Sequence, residues 1–287
     1  MKIRNGQFCE CQRQDKIQQC RRKEDRRINK KIEDAIQEAE CILIGTGEEF
    51  TPQVPAWEGP DCLEPFYKNR YYAELPEEDE TLQAYRKLRE LIGERPHFVV
   101  TLNTDDLICR AGFAREQVVA PCGSCGKLQC SEHIVDADEI ARQVMEQYQA
   151  AVQGKGRYLD EAAKRENTQE AQKILNKYAV CPKCGKPLAA HTIQTDGYLE
   201  SGYLPQWEAY KKWLATTLNK KLCVLELGVG FRYPQVIRWP FERTAFYNKK
   251  AVFVRVHSKF PQIEAELADK AITVKESPVD MLIERRA

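Results

Sequence analysis

Phe98, Val99 and Val100 form an apolar, β-branched run that breaks off into Thr101, Leu102, Asn103, Thr104 and Asp105. The run predicts a buried strand. The polar residues fall where a parallel strand delivers its carboxyl end, and in open α/β sheets ligands bind at that end. A second unit of this kind opens earlier in the chain. Ile28, Ile32, Ala35, Ile36 and Ala39 recur with a helical period, Cys41–Ile44 reads as a buried strand, and Gly45-Thr46-Gly47 follows it. A third lies near the end, where Cys223–Leu227 runs into Gly228-Val229-Gly230 and a further strand, 251–256, runs into His257. Helices are expected at about 80–92, 137–153, 166–177 and 205–219. Strands alternating with helices predict a parallel, doubly wound α/β sheet of Rossmann type. Glycines after such strands let backbone N–H groups approach a pyrophosphate, although tight strand exits also need glycine.

Overall charge excludes little, because 44 Lys/Arg stand against 43 Asp/Glu. No global field points to nucleic acid or a membrane surface. The balance hides a basic start: residues 1–31 hold eleven Lys/Arg and four Asp/Glu, with Cys9, Cys11 and Cys20. This stretch reads as a solvated polar tail, with nucleic-acid contact as the sharper alternative. It has no apolar h-region, and no run of the chain approaches the length that spans a bilayer. A reducing cytosol is the expected setting, with no membrane partner. Residues 51–65 are proline-rich and read as an ordered loop, and the acidic cluster 74–80 reads as a solvated face ahead of a helix.

The 12 cysteines are clustered in a long, core-rich chain, which argues for metal ligation or free thiols over a disulfide scaffold. Cys181-x-x-Cys184 followed by Gly185 has the spacing of a zinc knuckle. Its upstream half has two rival pairs, Cys122-x-x-Cys125 and Cys130-x-x-His133. Four protein ligands would close the site and make the zinc structural. His191 reads as a polar packing residue.

Several of these motifs together resemble one family. Thr101-x-Asn103-x-Asp105-x-Leu107 with Ala111-Gly112, the segment Val118–Ser124, the Cys181–Leu188 knuckle and the Gly228 loop are similar to the sirtuins, NAD-consuming protein-modifying enzymes. Leu225-Glu-Leu-Gly228-Val-Gly230-x-x-x-Pro234-x-x-Ile237-x-x-Pro240-Phe241 and Gln129-Cys130-Ser131 are nearer still to the macrodomain-linked bacterial branch, whose members are associated with protein ADP-ribosylation. The resemblance spans roughly residues 32–282. It implies a Rossmann-like NAD-binding domain (32–119 and 205–287) carrying a smaller zinc-binding module with a helical insert (120–204). It implies NAD as a consumed cofactor, zinc as a structural one, and a protein substrate. By matching position it assigns Asn103 and Asp105 to the nicotinamide ribose and nicotinamide. Cys122 stands where deacylating sirtuins carry a catalytic histidine, so Asn103, Asp105 and Cys122 form the candidate catalytic set. Gly45, Thr46, Gly47, Thr101, Gly228, Val229, Gly230 and His257 join Asn103 and Asp105 as cofactor contacts. Cys130, His133, Cys181 and Cys184 become the favoured zinc ligands, with Cys125 the alternative upstream one. The family's Phe-Gly-Glu acyl-lysine segment is absent after Ala190, and Glu48 and Glu49 stand beside the expected phosphate loop.

Three functions are therefore open. The first is a sirtuin-type enzyme that cleaves the nicotinamide–ribose bond and transfers ADP-ribose to a protein, or deacylates lysine. The second is a degenerate sirtuin that binds NAD or ADP-ribose without turnover. The third is a zinc-containing protein that binds nucleic acid or a partner through its basic tail.

Overall fold

The computed structural model describes residues 27–153 and 161–283. Cys9, Cys11, Cys20 and all of the basic tail before residue 27 lie outside the described residues. Residues 27–38 are helical (α1), and β1 (Cys41–Thr46) follows with every residue buried. β1 lies at the middle of a six-stranded parallel sheet ordered β3-β2-β1-β7-β8-β9. Its neighbours are β2 (His97–Thr101) and β7 (Leu222–Leu227). Outside them lie β3 (Val118–Val119) on one edge, then β8 (Val252–Val256) and β9 (Ala271–Val274) towards the other. Strands covered on both faces are continuous apolar runs, and Cys41-Ile-Leu-Ile44 and Phe98-Val-Val100 have that composition.

The pleat sends alternate residues to opposite faces. Ile42, Ile44 and Val99 join one core with α1, α3 (Glu80–Ile92), the single turn α4 (Leu107–Arg110) and α9 (Pro278–Ile283). Leu43, Phe98, Val100, Val224 and Phe253 join the other with α7 (Leu204–Ala215) and α8 (Arg238–Tyr247). The chain travels outward from β1 to β3, then returns to the other side of β1 to build β7, β8 and β9. The order therefore reverses between β1 and β7, and the crevice outside their carboxyl ends is where such folds hold ligands.

Between β3 and β7 the chain makes a smaller unit. β4 (Gly123–Gln129) pairs antiparallel with β5 (Ile134–Asp136) and β6 (Ala189–Thr192), and α5 (Asp138–Val152) and α6 (Glu161–Tyr178) complete it. Its core differs from the sequence expectation in one respect. Leu63 and Phe66 pack with Leu128, Cys130, Ala141 and Val144, so the segment at α2 (Glu64–Ala73) belongs with the small unit and not with residues 32–119. Pro65 at the first turn of α2 is a helix-start signal, hidden in a stretch read as proline-rich loop.

The expected helix at 80–92 is α3, and its start explains part of the acidic cluster: Asp79 accepts N–H bonds from Thr81 (2.9 Å) and Leu82 (3.2 Å) as an N-cap. Glu77 is paired with Arg86 and Arg110, so this face is an ion-pair network and not only a solvated surface. α7 stops at Ala215, short of the expected Asn219, where a positive φ of 63° ends the helical path. Among the described residues no helix is long and apolar enough to cross a membrane.

Candidate active site

A cleft of about 550 Å³ opens between the large sheet's carboxyl ends and the small unit. Glu48 and Thr51 reach it from the loop after β1, Asn103 and Thr104 from the loop after β2, and Arg232 and Tyr233 from the loop after β7. Cys122, Ser124, Cys125 and Lys127 line it from the small unit.

Asn103 enters the cleft with its amide oriented by the fold. Nδ2 donates to the Phe50 carbonyl (2.7 Å) and to the Tyr85 hydroxyl (3.0 Å), and the backbone N–H donates to Thr101 Oγ1 (3.0 Å). Oδ1 accepts no hydrogen bond among the described residues, so the amide offers the cleft an acceptor.

Asp105 is 6% exposed. Its carboxylate accepts from Thr51 Oγ1 (3.0 Å) and from the Leu107 N–H (3.0 Å). Burial pushes its pKa up to about 7, against the lowering effect of those two bonds. Asp105 does not line the main cleft. It borders an adjoining hollow of about 270 Å³ with Tyr72 and Arg110, and Thr51 is the residue that joins it to the cleft.

Cys122 faces the cleft but is 4% exposed, and burial pushes its thiol up to about 11, with Arg232 opposing and Glu48 adding to the shift. At neutral pH it is a thiol. A thiolate that accepts a proton needs a lowered value, and burial works against that role at Cys122.

The expected cofactor glycines are placed differently from one another. Gly45 lies inside β1, not in a turn, and a Cβ there would meet Ile237 Cγ2 at 2.5 Å and Phe241 Cε2 at 2.7 Å. It makes room for α8. Thr46 and Thr101 are buried beneath the cleft, where Thr46 Oγ1 donates to Thr101 Oγ1 (2.8 Å). Gly47 N–H donates to the Leu227 carbonyl (3.0 Å) and Gly228 N–H to the Val256 carbonyl (2.8 Å), so neither is presented to a phosphate. Gly228, at φ +65°, approaches the Glu49 backbone, where a side chain does not fit. Val229 and Gly230 make no backbone N–H bond among the described residues.

His257 ends β8 away from the cleft walls. Its Nδ1 accepts from the Lys259 and Phe260 N–H groups (3.1 and 3.3 Å), while Nε2 is buried without a partner. Glu49 turns towards this end of the sheet: its carboxylate accepts from the Ser258 N–H (2.9 Å) and from the Ser258 hydroxyl. His191 is also off the cleft, with Nδ1 against Gln129 Oε1 (2.8 Å) and its pKa lowered by burial to about 4.

At the small unit, the ligand atoms of Cys130, His133, Cys181 and Cys184 lie within 4.8 Å of one another. Cys130 Sγ is 3.7 Å from both His133 Nδ1 and Cys184 Sγ, and Cys181 Sγ is 3.8 Å from His133 Nδ1. Metal–sulfur bonds of ~2.3 Å in a tetrahedron put neighbouring ligand atoms about 3.7 Å apart, so the set fits zinc. The N–H groups of Glu132 (3.4 Å) and His133 (3.2 Å) point at Cys130 Sγ and stabilise a thiolate there. Cys125, the alternative ligand, is not in this group; it lies beside Thr104 Oγ1 (3.4 Å) on the cleft wall.

Three functional candidates carried no signal in the sequence. Thr51 sits in a proline-rich loop and joins Asp105 to the cleft. Asp106, at φ +58°, accepts from Ser124 Oγ and Arg115 Nη1 (2.9 Å) and ties the β2 loop to β4. Arg232 lines the cleft with its guanidinium over the Tyr233 ring (5.4 Å). Thr51 and Asp106 take their roles from residues on other elements, and Arg232 from the cleft it lines; Asn103-x-Asp105 was legible because both residues sit at a strand end.

No protein-family model matches the chain. It is similar to a Staphylococcus aureus (strain Mu50 / ATCC 700699) protein named "Protein ADP-ribosyltransferase", 21% identical over 280 residues and covering 84% of this chain and 82% of that one. It is also similar to a Fusarium oxysporum f. sp. cubense "Probable bifunctional ADP-ribose hydrolase/ADP-ribosyltransferase", 29% identical over 154 residues, which are 50% of this chain and 23% of the fungal protein. Among solved structures it is similar to one on the structural basis of sirtuin substrate affinity (TM-score 0.49, 14% identity, 88% of this chain and 97% of that chain). A structure of Sir2 with a p53 peptide and NAD+ gives a TM-score of 0.46 at 14% identity, over 88% of this chain and 94% of that chain.

Proposed function

We propose that the chain is a sirtuin-like, NAD-dependent enzyme that cleaves the nicotinamide–ribose bond and transfers ADP-ribose to a protein. The observation that carries this reading is the junction of Asn103, Thr51 and Arg232 in one cleft at the point where the strand order reverses. The ADP-ribosyltransferase names of the two relatives agree with it.

Each residue has a part in the chemistry. Loss of nicotinamide leaves positive charge on ribose C1′, and a cleft that orients the sugar and excludes water lowers that barrier. Asn103 Oδ1 is an acceptor for a ribose hydroxyl. The Thr51 hydroxyl, whose proton goes to Asp105, is an acceptor for the nicotinamide carboxamide N–H. Arg232 supplies positive potential for the diphosphate from the cleft wall, in place of the occupied Gly47 N–H. Cys130, His133, Cys181 and Cys184 would hold a zinc ion that closes the small unit forming the far wall, and four protein ligands would leave it no open position for substrate.

Transfer is favoured over deacylation by two features. Cys122 is a neutral thiol where deacylation needs a base on the ribose hydroxyl, and the acyl-lysine segment is absent after Ala190. A binding-only protein is the second reading, because the Gly47 and Gly228 N–H groups are already engaged. Nicotinamide release by zinc-loaded protein separates the two. Release that is lost in Asn103→Ala, at an unchanged melting temperature, supports the enzyme. No release alongside calorimetric binding of NAD or ADP-ribose supports the binder.

A further inference from the structure

With Cys122 neutral, the cleft needs another group to receive a proton. Glu64 is paired with Lys68 (2.7 Å). Asp105 is sealed behind Thr51. Asp106 is held by Ser124 and Arg115, and Glu49 by Ser258. His191 and His257 face elsewhere. Glu48 alone among the carboxylates of the cleft is exposed and forms no ion pair among the described residues.

Its position is built by the backbone. Gly47 packs against the Gly228 carbonyl, where a Cβ would come within 2.6 Å, so the chain turns tightly from β1 onto the β7 loop. The Glu48 carboxylate then lies over Gly230, filling the space that a Cβ at Gly230 would need. It shares the cleft with Asn103 and Cys122.

We propose that Glu48 is the base of the transfer step, and that the acceptor is consequently a group with a proton to lose, a hydroxyl or an N–H, and not a carboxylate. This rests on the reading of the cleft as an NAD-cleaving site. The C1′–N bond breaks and its electron pair leaves with nicotinamide, neutralising the ring. A lone pair of the acceptor oxygen or nitrogen forms the new bond to C1′. The acceptor's proton passes to Glu48, which returns it to water. Nothing is oxidised or reduced. An aspartate or glutamate acceptor needs no base and is repelled by the Glu48 charge.

The test uses small nucleophiles in place of the unidentified protein acceptor. Water and methanol have a proton to lose; azide has none. For Glu48→Ala the account predicts NAD binding within about threefold of wild type, and a fall of 10²- to 10⁴-fold in ADP-ribose and methyl-ADP-ribose formation, the usual worth of a positioned base. Azide is predicted to restore turnover as azido-ADP-ribose. Glu48→Gln, which keeps the shape of the side chain but cannot take the proton, should show the same loss. Gly230→Ala adds a methyl that displaces a flexible side chain without a left-handed backbone, so it should fold normally and show the same loss. Water and methanol transfer at the wild-type rate in Glu48→Ala overturns the role of Glu48 while leaving the enzyme reading intact. Equal loss of the azide reaction reduces Glu48 to a structural part and also overturns it. A wild-type protein that releases no nicotinamide at any pH overturns the enzyme reading and this inference with it.

Discussion

Asp105 should make the fold less stable as pH rises, and Asp105→Asn should abolish that trend. Its carboxyl ordinarily titrates near 3.8 and in the fold near 7, because burial disfavours the charge. Between those values the folded chain keeps a proton that the unfolded chain has released. The unfolded state then binds fewer protons, so unfolding free energy falls with increasing pH. The whole gap is roughly three pH units, or about 4 kcal/mol at 1.36 kcal/mol each. Between pH 5 and 8 the part still to be lost is roughly two units, about 3 kcal/mol. Asparagine keeps the shape, can accept the Leu107 N–H through its oxygen, and has no charge to bury. Urea unfolding of wild type and Asp105→Asn at pH 5 and pH 8 isolates the effect, since the other titrating groups are common to both. The wild type should lose about 3 kcal/mol more than the variant over this range. Parallel curves, differing by under about 1 kcal/mol, would refute the reasoning and mean that Asp105 is ionised in the fold.

Other perturbations have equally definite outcomes. Cys181→Ser, or chelation at neutral pH, should lower the melting temperature and expose the small unit, with proteolysis appearing first in residues 123–192; an unchanged melt would show that no metal closes the set. Gly45→Ala places a Cβ against Ile237 and Phe241, and overpacking of this kind should cost about 1–3 kcal/mol by denaturant titration. Glu226 is buried with Arg255 (2.7 Å) and near Arg238 (3.4 Å), and Arg238 in turn donates to the Val229 and Phe260 carbonyls (both 2.8 Å). Glu226→Gln leaves buried Arg238 without its carboxylate and Arg255 with Glu242 alone (2.8 Å), and should destabilise by about 3 kcal/mol, loosening the β7 and β8 loops.

Much of the large sheet was legible because its strands are buried on both faces. Cys41–Ile44, Phe98–Val100 and Cys223–Leu227 are apolar enough to declare themselves, and the residues just past them mark the carboxyl edge. Cys181 and Cys184 were legible by spacing and the resemblance favoured Cys130 and His133 upstream; the fold brings those two, and not Cys125, to the pair. β4 was not legible: Gly123-Ser-Cys-Gly-Lys-Leu-Gln129 is polar, holds two glycines and has one wall in the cleft, so neither period nor propensity marks it. Gly45 misled because a glycine that admits Phe241 looks the same in sequence as one that admits a phosphate. Cys122 shows the same limit. Its place in the motif was readable, but the burial that keeps it protonated is a property of the assembled cleft.

Transfer itself is the most direct test. Zinc-loaded protein is incubated with NAD labelled in the adenosine half and with cell lysate as the source of acceptor, and label is measured on denatured protein. The account predicts covalent label with wild type, nicotinamide released in step with it, and neither with Asn103→Ala at an unchanged melting temperature. A well-folded wild type that leaves protein unlabelled and NAD intact would contradict it.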